Sequence, residues 1–244
     1  EVKAWLAMYQ PADLHKLVFY EDDLVSLRSL YSVEARLQEA LERKVWLKSG
    51  GYLVIDRTEA LTCIDVNSGK YMGKKSKEES FLEINMEAAQ EIGRQKPDTI
   101  VLISPHQVMY ADYFHISPGQ GAKGDFGKFR AGQVSMEVSY DTEFVRALCQ
   151  AAEEAGIQAG KLGERDKKLD HGAMVPLYFV NQYWTGYQLV RVGLSGLPLT
   201  AHYRFGQCIE AAAQILGRNT VVIASGDLSH KLKEDGPYGY QEEG

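Results

Sequence analysis

Three histidines occupy positions from which side chains can act together. His106 directly follows the apolar run TIVLIS in SPHQVMY, His230 follows NTVVIAS in GDLSH, and His171 stands in LDHGAMVPLYF just ahead of an apolar segment. Imidazole suits metal ligation and proton transfer near neutral pH. Asp170 and Asp227, each close in sequence to one of these rings, are of the type that holds an imidazole in one tautomer. Any one histidine alone reads first as a hydrogen-bonded core or surface residue. Three in comparable places, at or near strand ends of one sheet, point to a shared pocket. His115 in YFHISPG and His202 in TAHYRFG are less well placed and read as structural, or as distant substrate contacts.

The elements that would carry these residues follow from periodicity. TIVLIS is short, continuously apolar and β-branched, as in a strand buried on both faces. Lys96-Pro97-Asp98 closes the helix before it, EESFLEINMEAAQEIGRQ, in which Phe81, Ile84, Ala88 and Ile92 share one side. Further on, 187–195 reads as a strand, 200–216 as a helix stopped at Leu216-Gly217-Arg218, and 219–225 as a strand. Such β-α-β units favour a sheet with helices on both faces and functional loops at the carboxyl ends of its strands. Earlier, 32–47 has Val33, Leu37, Leu41 and Val45 four apart with Ser32 as N-cap, predicting an amphipathic helix. After Gly50-Gly51, two β-type runs around Arg57-Thr58-Glu59 predict a hairpin.

Composition bounds what this chain can be. At 244 residues, 45% hydrophobic and 25% charged, it can bury a sizeable core, which excludes disorder, collagen and disulfide-scaffold classes. Lys plus Arg number 27 against 33 for Asp plus Glu, a net charge of -6, so no global attraction to nucleic acid or anionic membrane exists. No apolar run approaches the roughly 20 residues of a membrane span, and EVKAWLAMYQ lacks the order of a signal peptide. The expected address is therefore cytoplasmic, and homo-oligomers are compatible with it. Cys63, Cys149 and Cys208, odd in number and far apart, read as reduced core fillers.

Long motifs then carry a resemblance. From Lys96 to Gly239, through KPDTIVLISPHQVMYADYFHISPG, LGERDKKLDHGAMVPLYF, RVGLSGLPL and VVIASGDLSHKLKEDGPYG, the chain resembles the LigB-type class III extradiol ring-cleavage dioxygenases. Within them it is most similar to the Memo-like branch of the AmmeMemoRadiSam system. The resemblance implies Fe(II), sometimes replaced by Zn(II), held by two His and one carboxylate, with open positions for a catechol-type aromatic and O2. It assigns His106 to the second metal histidine, and His171 and His230, with Asp227 nearby, to the substrate or acid-base side. The family's first metal histidine has no counterpart in 1–95, and its acidic ligand is expected beyond Gly244.

The first part is similar to another family. ALERKVWLKSGGYLVIDRTEALTCIDVNSGKYMGKK, followed by EESFLEINMEAAQEIGRQ, resembles the catalytic DNase I-like region of the ribonuclease E/G family. This implies Mg2+ positioning water against an RNA phosphodiester. Asp65 corresponds to the first metal carboxylate and Asn67 to the polar residue that accompanies it. Read without the family, an Asp before Asn-Ser-Gly is an ordinary turn signal. Lys70, Lys74, Lys75 and Lys77 offer contacts to phosphate, or simply a solvated face. The second metal Asp of the family is missing, because EIGRQ passes straight into KPDTIVLISPH.

The expected fold class is α/β: a mostly parallel, LigB-like sheet flanked by helices over 97–244, with an N-terminal α+β fragment of a DNase I-like ribonuclease domain over 1–96. The two resemblances meet between Gln95 and Pro97, the pattern of a chimeric reading frame with both parts truncated. Each part is then expected to lack a strand beside it, leaving sheet edges that need cover. Three functions follow: an Fe(II)-dependent extradiol dioxygenase-like domain impaired by missing ligands, a Mg2+-dependent endoribonuclease, or a non-catalytic Memo-like binding module.

Overall fold

The computed structural model describes residues 2–22, 24–57, 61–67 and 77–226. In chain order it contains α1 (Val2–Tyr9), a 3-10 turn (Pro11–Lys16), α2 (Leu27–Leu30), α3 (Val33–Leu41), β1 (Lys44–Trp46), β2 (Tyr52–Arg57), β3 (Leu61–Asn67) and α4 (Lys77–Arg94). There follow β4 (Thr99–Ser104), β5 (Phe114–His115), β6 (Gly121–Phe126), β7 (Ala131–Ser139), α5 (Thr142–Glu154) and β8 (Ala159–Gly160). The last elements are α6 (His171–Val180), β9 (Gln188–Gly193), α7 (Leu199–Leu216) and β10 (Thr220–Ala224). The chain divides into two compact units, the second beginning at Lys44.

The unit ending at Arg43 holds α1 to α3. Ser26 caps α2 by accepting the Ser29 amide at 3.1 Å. Several of its apolar side chains, among them Trp5, Met8, Val18, Phe19 and Leu24, are exposed. The amphipathic helix expected over 32–47 is shorter: it runs Val33–Leu41, and Val45 lies in β1 instead. Ser32 does not cap it in extended geometry but takes a positive φ of 49° in the turn between α2 and α3. The cause is a conflict of periods, since Lys44-Val45-Trp46 pairs antiparallel with Tyr52-Leu53-Val54 and a strand cannot continue a helical phase.

The second unit is built on a six-stranded sheet of order β1-β2-β3-β10-β4-β9. Only β2 runs against the others, so the sheet is mostly parallel. Strand β4 lies between β10 and β9 and is buried on both faces, as its unbroken apolar run requires. Successive side chains of β4 enter opposite layers. Ile100 and Leu102 pack with Ala89 and Ile92 of α4 and with Ala173, Met174 and Leu177 of α6. Val101 and Ile103 pack with Phe144, Val145 and Leu148 of α5 and Phe205, Ile209 and Ala212 of α7. Helices thus cover both faces. Among the described residues no helix is long and apolar enough to cross a membrane.

The hairpin expected near residue 57 forms β2 and β3, and the edges expected to need cover meet each other. β3 pairs in parallel with β10, Leu61, Thr62 and Cys63 lying beside Thr220, Val221 and Val222. The stretch 95–98 is held by the same neighbour: Asn219 donates through Nδ2 to the carbonyls of Gln95 and Lys96, and the Asp98 carboxylate accepts the Asn219 amide at 2.9 Å. Trp184 Nε1 donates to the Pro97 carbonyl at 3.0 Å. Gly93 lets α4 approach the end of α6, because a β-carbon there would lie 2.8 Å from Tyr183 Cβ.

Strand β9 would be the bare edge, but the amides of Ser117 and Asp141 donate to the carbonyls of Arg191 and Leu189, closing it. Asp141 also starts α5, its Oδ1 accepting the Phe144 amide at 2.9 Å while Oδ2 accepts Thr99 Oγ1 at 2.7 Å. Cys208 is buried and Cys149 half-buried, neither in a disulfide, and burial pushes both thiols up. The side chain of Cys63 is outside the described set.

If β2-β3 is part of one cooperative sheet, Thr62→Pro will be felt beyond its own strand. Thr62 lies between Arg57 and Val221, and proline cannot donate to the ladder there. Amide hydrogen exchange at Val101 and Ile103 of β4 is expected to accelerate together with that of β3; unchanged exchange in β4 would mark the hairpin as an independent appendage.

Candidate functional site

The carboxyl end of β4 and the amino end of α6 are drawn together by one short bond. Ser104 faces the α6 side of the sheet, and its hydroxyl donates to Asp170 Oδ1 at 2.6 Å. The same Asp170 oxygen accepts the Ala173 amide at 3.0 Å, so Asp170 is the N-cap of α6. The His106 amide donates to Ser104 Oγ at 3.2 Å. Strand end, turn and helix start therefore share one hydrogen-bonded node.

This node stacks two imidazoles. His106 and His171 have ring centroids 3.9 Å apart, with 40° between their planes. Gly172 makes the approach feasible, since a β-carbon there would lie 2.5 Å from Ser104 Oγ, 2.9 Å from His106 Cδ2 and 3.0 Å from Asp170 Oδ1. In the Asp170-His171-Gly172 motif the first residue caps the helix, the second supplies the ring, and the third leaves room for both.

Of the residues singled out in the sequence, His106 and His171 are brought into contact. Asp170 serves the helix and Ser104 rather than an imidazole, and its buried Oδ2 has no hydrogen-bond partner among the described residues. His230 and Asp227 lie outside the described residues. The last described residue before them, Gly226, is beside Pro105, with a hypothetical β-carbon 3.8 Å from Pro105 Cγ. Asp65 and Asn67 fall on β3, where they pair with Val54 and Tyr52 of β2, but their side chains are not among those described. Lys70, Lys74 and Lys75 also lie outside the described residues.

Several neighbours were not legible as site residues. The β6-β7 hairpin carries Phe129 to the pair, its ring 5.3 Å from that of His171 and nearly edge-on. Beside it is an apolar groove of about 270 Å³ lined by Phe126, Phe129, Ala131, Val134, Val175 and Tyr178, among others. Arg191 is the other surprise. It is 2% exposed, yet in the sequence it is only one charge inside YQLVRVGLS. Buried charges require partners. Its Nε donates to Ser117 Oγ at 2.9 Å, and its two terminal nitrogens donate to the carbonyls of Lys168 (2.7 Å) and Asp166 (3.0 Å). Glu164 is 3.9 Å away.

His115 and His202 are structural in this arrangement. His115 is 1% exposed and pairs through Nδ1 with the Leu162 carbonyl at 3.0 Å. Burial lowers its pKa from the usual histidine value, against the opposing effects of that bond and of Glu164. His202 sits on α7, edge-on to Phe114 at 4.8 Å. Tyr140, also buried, has its phenol pushed up by burial.

A metal held by His106 would need further donors. Among the described residues no three His, Cys, Asp or Glu groups are disposed to hold one ion. Two imidazoles do not make the two-His, one-carboxylate set.

Comparison with known proteins accounts for both halves of this architecture. Residues 67–243 match the catalytic LigB subunit of aromatic ring-opening dioxygenase, and residues 1–96 match the ribonuclease E/G family. Protein CA_C1420 of Clostridium acetobutylicum is 38% identical over 180 residues, which are 70% of this chain and 38% of that protein. Ribonuclease G of Salmonella typhimurium is 46% identical over 89 residues, 36% of this chain and 18% of that enzyme. Ribonuclease G of Escherichia coli K12 is 52% identical over 66 residues, 27% of this chain and 14% of that enzyme. The aligned stretch is thus well under half the length of each of these relatives.

Two measurements check this geometry. Gly172→Ala is expected to force Ser104 and His106 apart from α6, seen as loss of the short Ser104–Asp170 hydrogen bond in a crystal structure and as a drop in melting temperature. Burial lowers the pKa of His115 in the folded state, so between that lowered value and its ordinary pKa of about 6.5 the unfolded chain binds more protons than the folded one. Its contribution is fully present above that pH and is lost as pH falls toward the lowered folded value. In urea titrations, His115→Gln is expected to flatten the decline of stability below about pH 6.5; an unchanged slope would remove His115 as its source.

Proposed function

The chain belongs to the family of the catalytic LigB subunit of aromatic ring-opening dioxygenases, and on that premise we propose that residues 97–244 form an extradiol dioxygenase-like domain acting on a catechol-type aromatic with O2. The observation that supports this best is the stacked His106–His171 pair at the carboxyl end of β4, flanked by Phe129 and the apolar groove. An apolar wall beside two imidazoles suits a planar ring that carries ionisable hydroxyls. His106 is proposed as one ligand to Fe(II), or Zn(II) in its place. His171 then takes or returns a substrate proton, and Asp170, Ser104 and Gly172 hold that ring in place. His230 and Asp227, which follow Gly226, are proposed to join them on the substrate side.

We further propose that this activity is impaired. From Lys16 to Pro105 the chain contains no histidine, so the family's first metal imidazole has no counterpart in the stretch leading into β4. Metal affinity falls when a ligand is missing, and turnover with it. After anaerobic loading with Fe(II) and gel filtration, the wild-type chain is expected to retain substoichiometric iron, His106→Ala less, and His171→Ala as much as wild type. Catechol cleavage, followed by absorbance, is expected to fall roughly 100-fold or more in His171→Ala, the ordinary cost of losing a general acid or base. Equal iron in wild type and His106→Ala would overturn the ligand assignment. A chain without iron or cleavage that still binds a partner would favour the Memo-like binding reading.

The match over 1–96 supports a second activity for that part. We propose that Asp65, with Asn67, contributes to a Mg2+ site for cleavage of RNA. The expected outcome is Mg2+-dependent cleavage of single-stranded RNA that disappears in Asp65→Ala; cleavage that survives the substitution removes the assignment.

A further inference from the structure

One buried charge, Arg191, has no part in the chemistry above. It lies on β9, where it pairs with Leu102 of β4 and faces the same side as Leu189, the side covered by α4 and α6. A guanidinium inside a core of this kind is costly unless its donors are met. Here the contacts converge on one segment of chain and its support. The two terminal nitrogens bind the carbonyls of Asp166 and Lys168, and Nε binds Ser117 Oγ. Ser117 is itself tied to β9 by its amide and to Gln107 Nε2, which donates to the same hydroxyl at 2.8 Å.

The segment so held is irregular and ends in the site. Residues 161–170 contain no helix or strand, and Asp170-His171 closely follow Lys168. The rest of the segment is fastened by single bonds: Tyr110 Oη to the Gly163 carbonyl, the Leu162 amide to Tyr113 Oη, His115 to the Leu162 carbonyl, and the Leu169 amide to the Lys123 carbonyl. Of these groups Arg191 alone grips two carbonyls at once, and a planar fork fixes direction as well as distance. Two residues beyond its grip on Lys168 is the cap that sets where α6 begins, and the first residue of α6 is the ring stacked on His106.

We propose that Arg191 is a positioning residue for the His106–His171 pair, clamping 166–168 from the sheet floor so that Asp170 and His171 meet Ser104 and His106. This rests on the reading of that pair as the functional site, but the clamp itself is tested without metal, substrate or turnover. Lysine keeps the charge and loses the fork; methionine keeps the length and loses the charge.

The test is NMR on the full chain with labelled histidine. In wild type, ring protons of His106 and His171 are expected to show a cross-relaxation peak, as their 3.9 Å centroid spacing requires. Arg191→Lys and Arg191→Met are expected to lose that peak while keeping the edge-on contact of His202 with Phe114, which belongs to the other face of the sheet. Leu148→Ala, a destabilising truncation in the α5-α7 core, is expected to keep both. A retained His106–His171 peak in either folded Arg191 variant overturns the proposal. Failure of both variants to fold, with Leu148→Ala folded, overturns it too, since Arg191 would then support the whole sheet rather than one segment. Should the wild-type chain bind no iron and cleave no catechol, the functional reading fails while the ring contact still decides the role of Arg191.

Discussion

The burial of β4 on both edges and both faces governs everything else in the second unit. Its backbone is satisfied by β10 and β9, and its side chains Ile100 to Ile103 are divided between two helical layers. Nothing polar can act within such a strand. Chemistry is therefore displaced to its carboxyl end, where Ser104 is buried but bonded and His106 emerges into a turn. The neighbouring strand β10 ends beside the same turn, the Ser225 amide that follows it donating to the Ile103 carbonyl at 2.9 Å.

The same constraint explains why two unlike stretches of chain make one sheet. A parallel strand with an unpaired edge is unstable in water and prone to wrong pairing. β10 offers one edge to β4 and the other to β3, so the hairpin within the ribonuclease E/G match completes the sheet of the LigB match. The pairing is short, and the polar turn at 95–98 is secured independently by Asn219 and Trp184. The two matches overlap over 67–96, where α4 supplies Ala89 and Ile92 to the core beneath α6.

Behind the histidine pair is an interior that is more polar than the sequence suggests. Arg191, Ser117, Gln107, His115 and Tyr140 are all buried, and several of their atoms meet irregular chain rather than helix or strand. Low dielectric strengthens each bond that is made and penalises each atom left without one. Among the described residues, buried atoms without a hydrogen-bond partner include Gln107 Oε1, His115 Nε2 and Asp170 Oδ2. Rigid support for an irregular segment comes at that cost.

The sequence by itself determined the strands and helices whose periodicity is local: TIVLIS, the helix that stops at Gly217, and the amphipathic face of Ile84, Ala88 and Ile92 were all legible because burial repeats at a fixed spacing. It also marked His106 and His171, since a ring placed beside an apolar run is an evident signal. Where two periods competed, at 42–47, long-range pairing with β2 decided for strand, which no local pattern could show. Only the tertiary structure brought Phe129 edge-on against His171, turned Asp170 from an imidazole's partner into a helix cap bonded to Ser104, and set Arg191 under 166–168. The bonds of Arg191 join residues 23 to 74 positions apart and depend on which face of a strand is inward, and such distances leave no trace in local spacing.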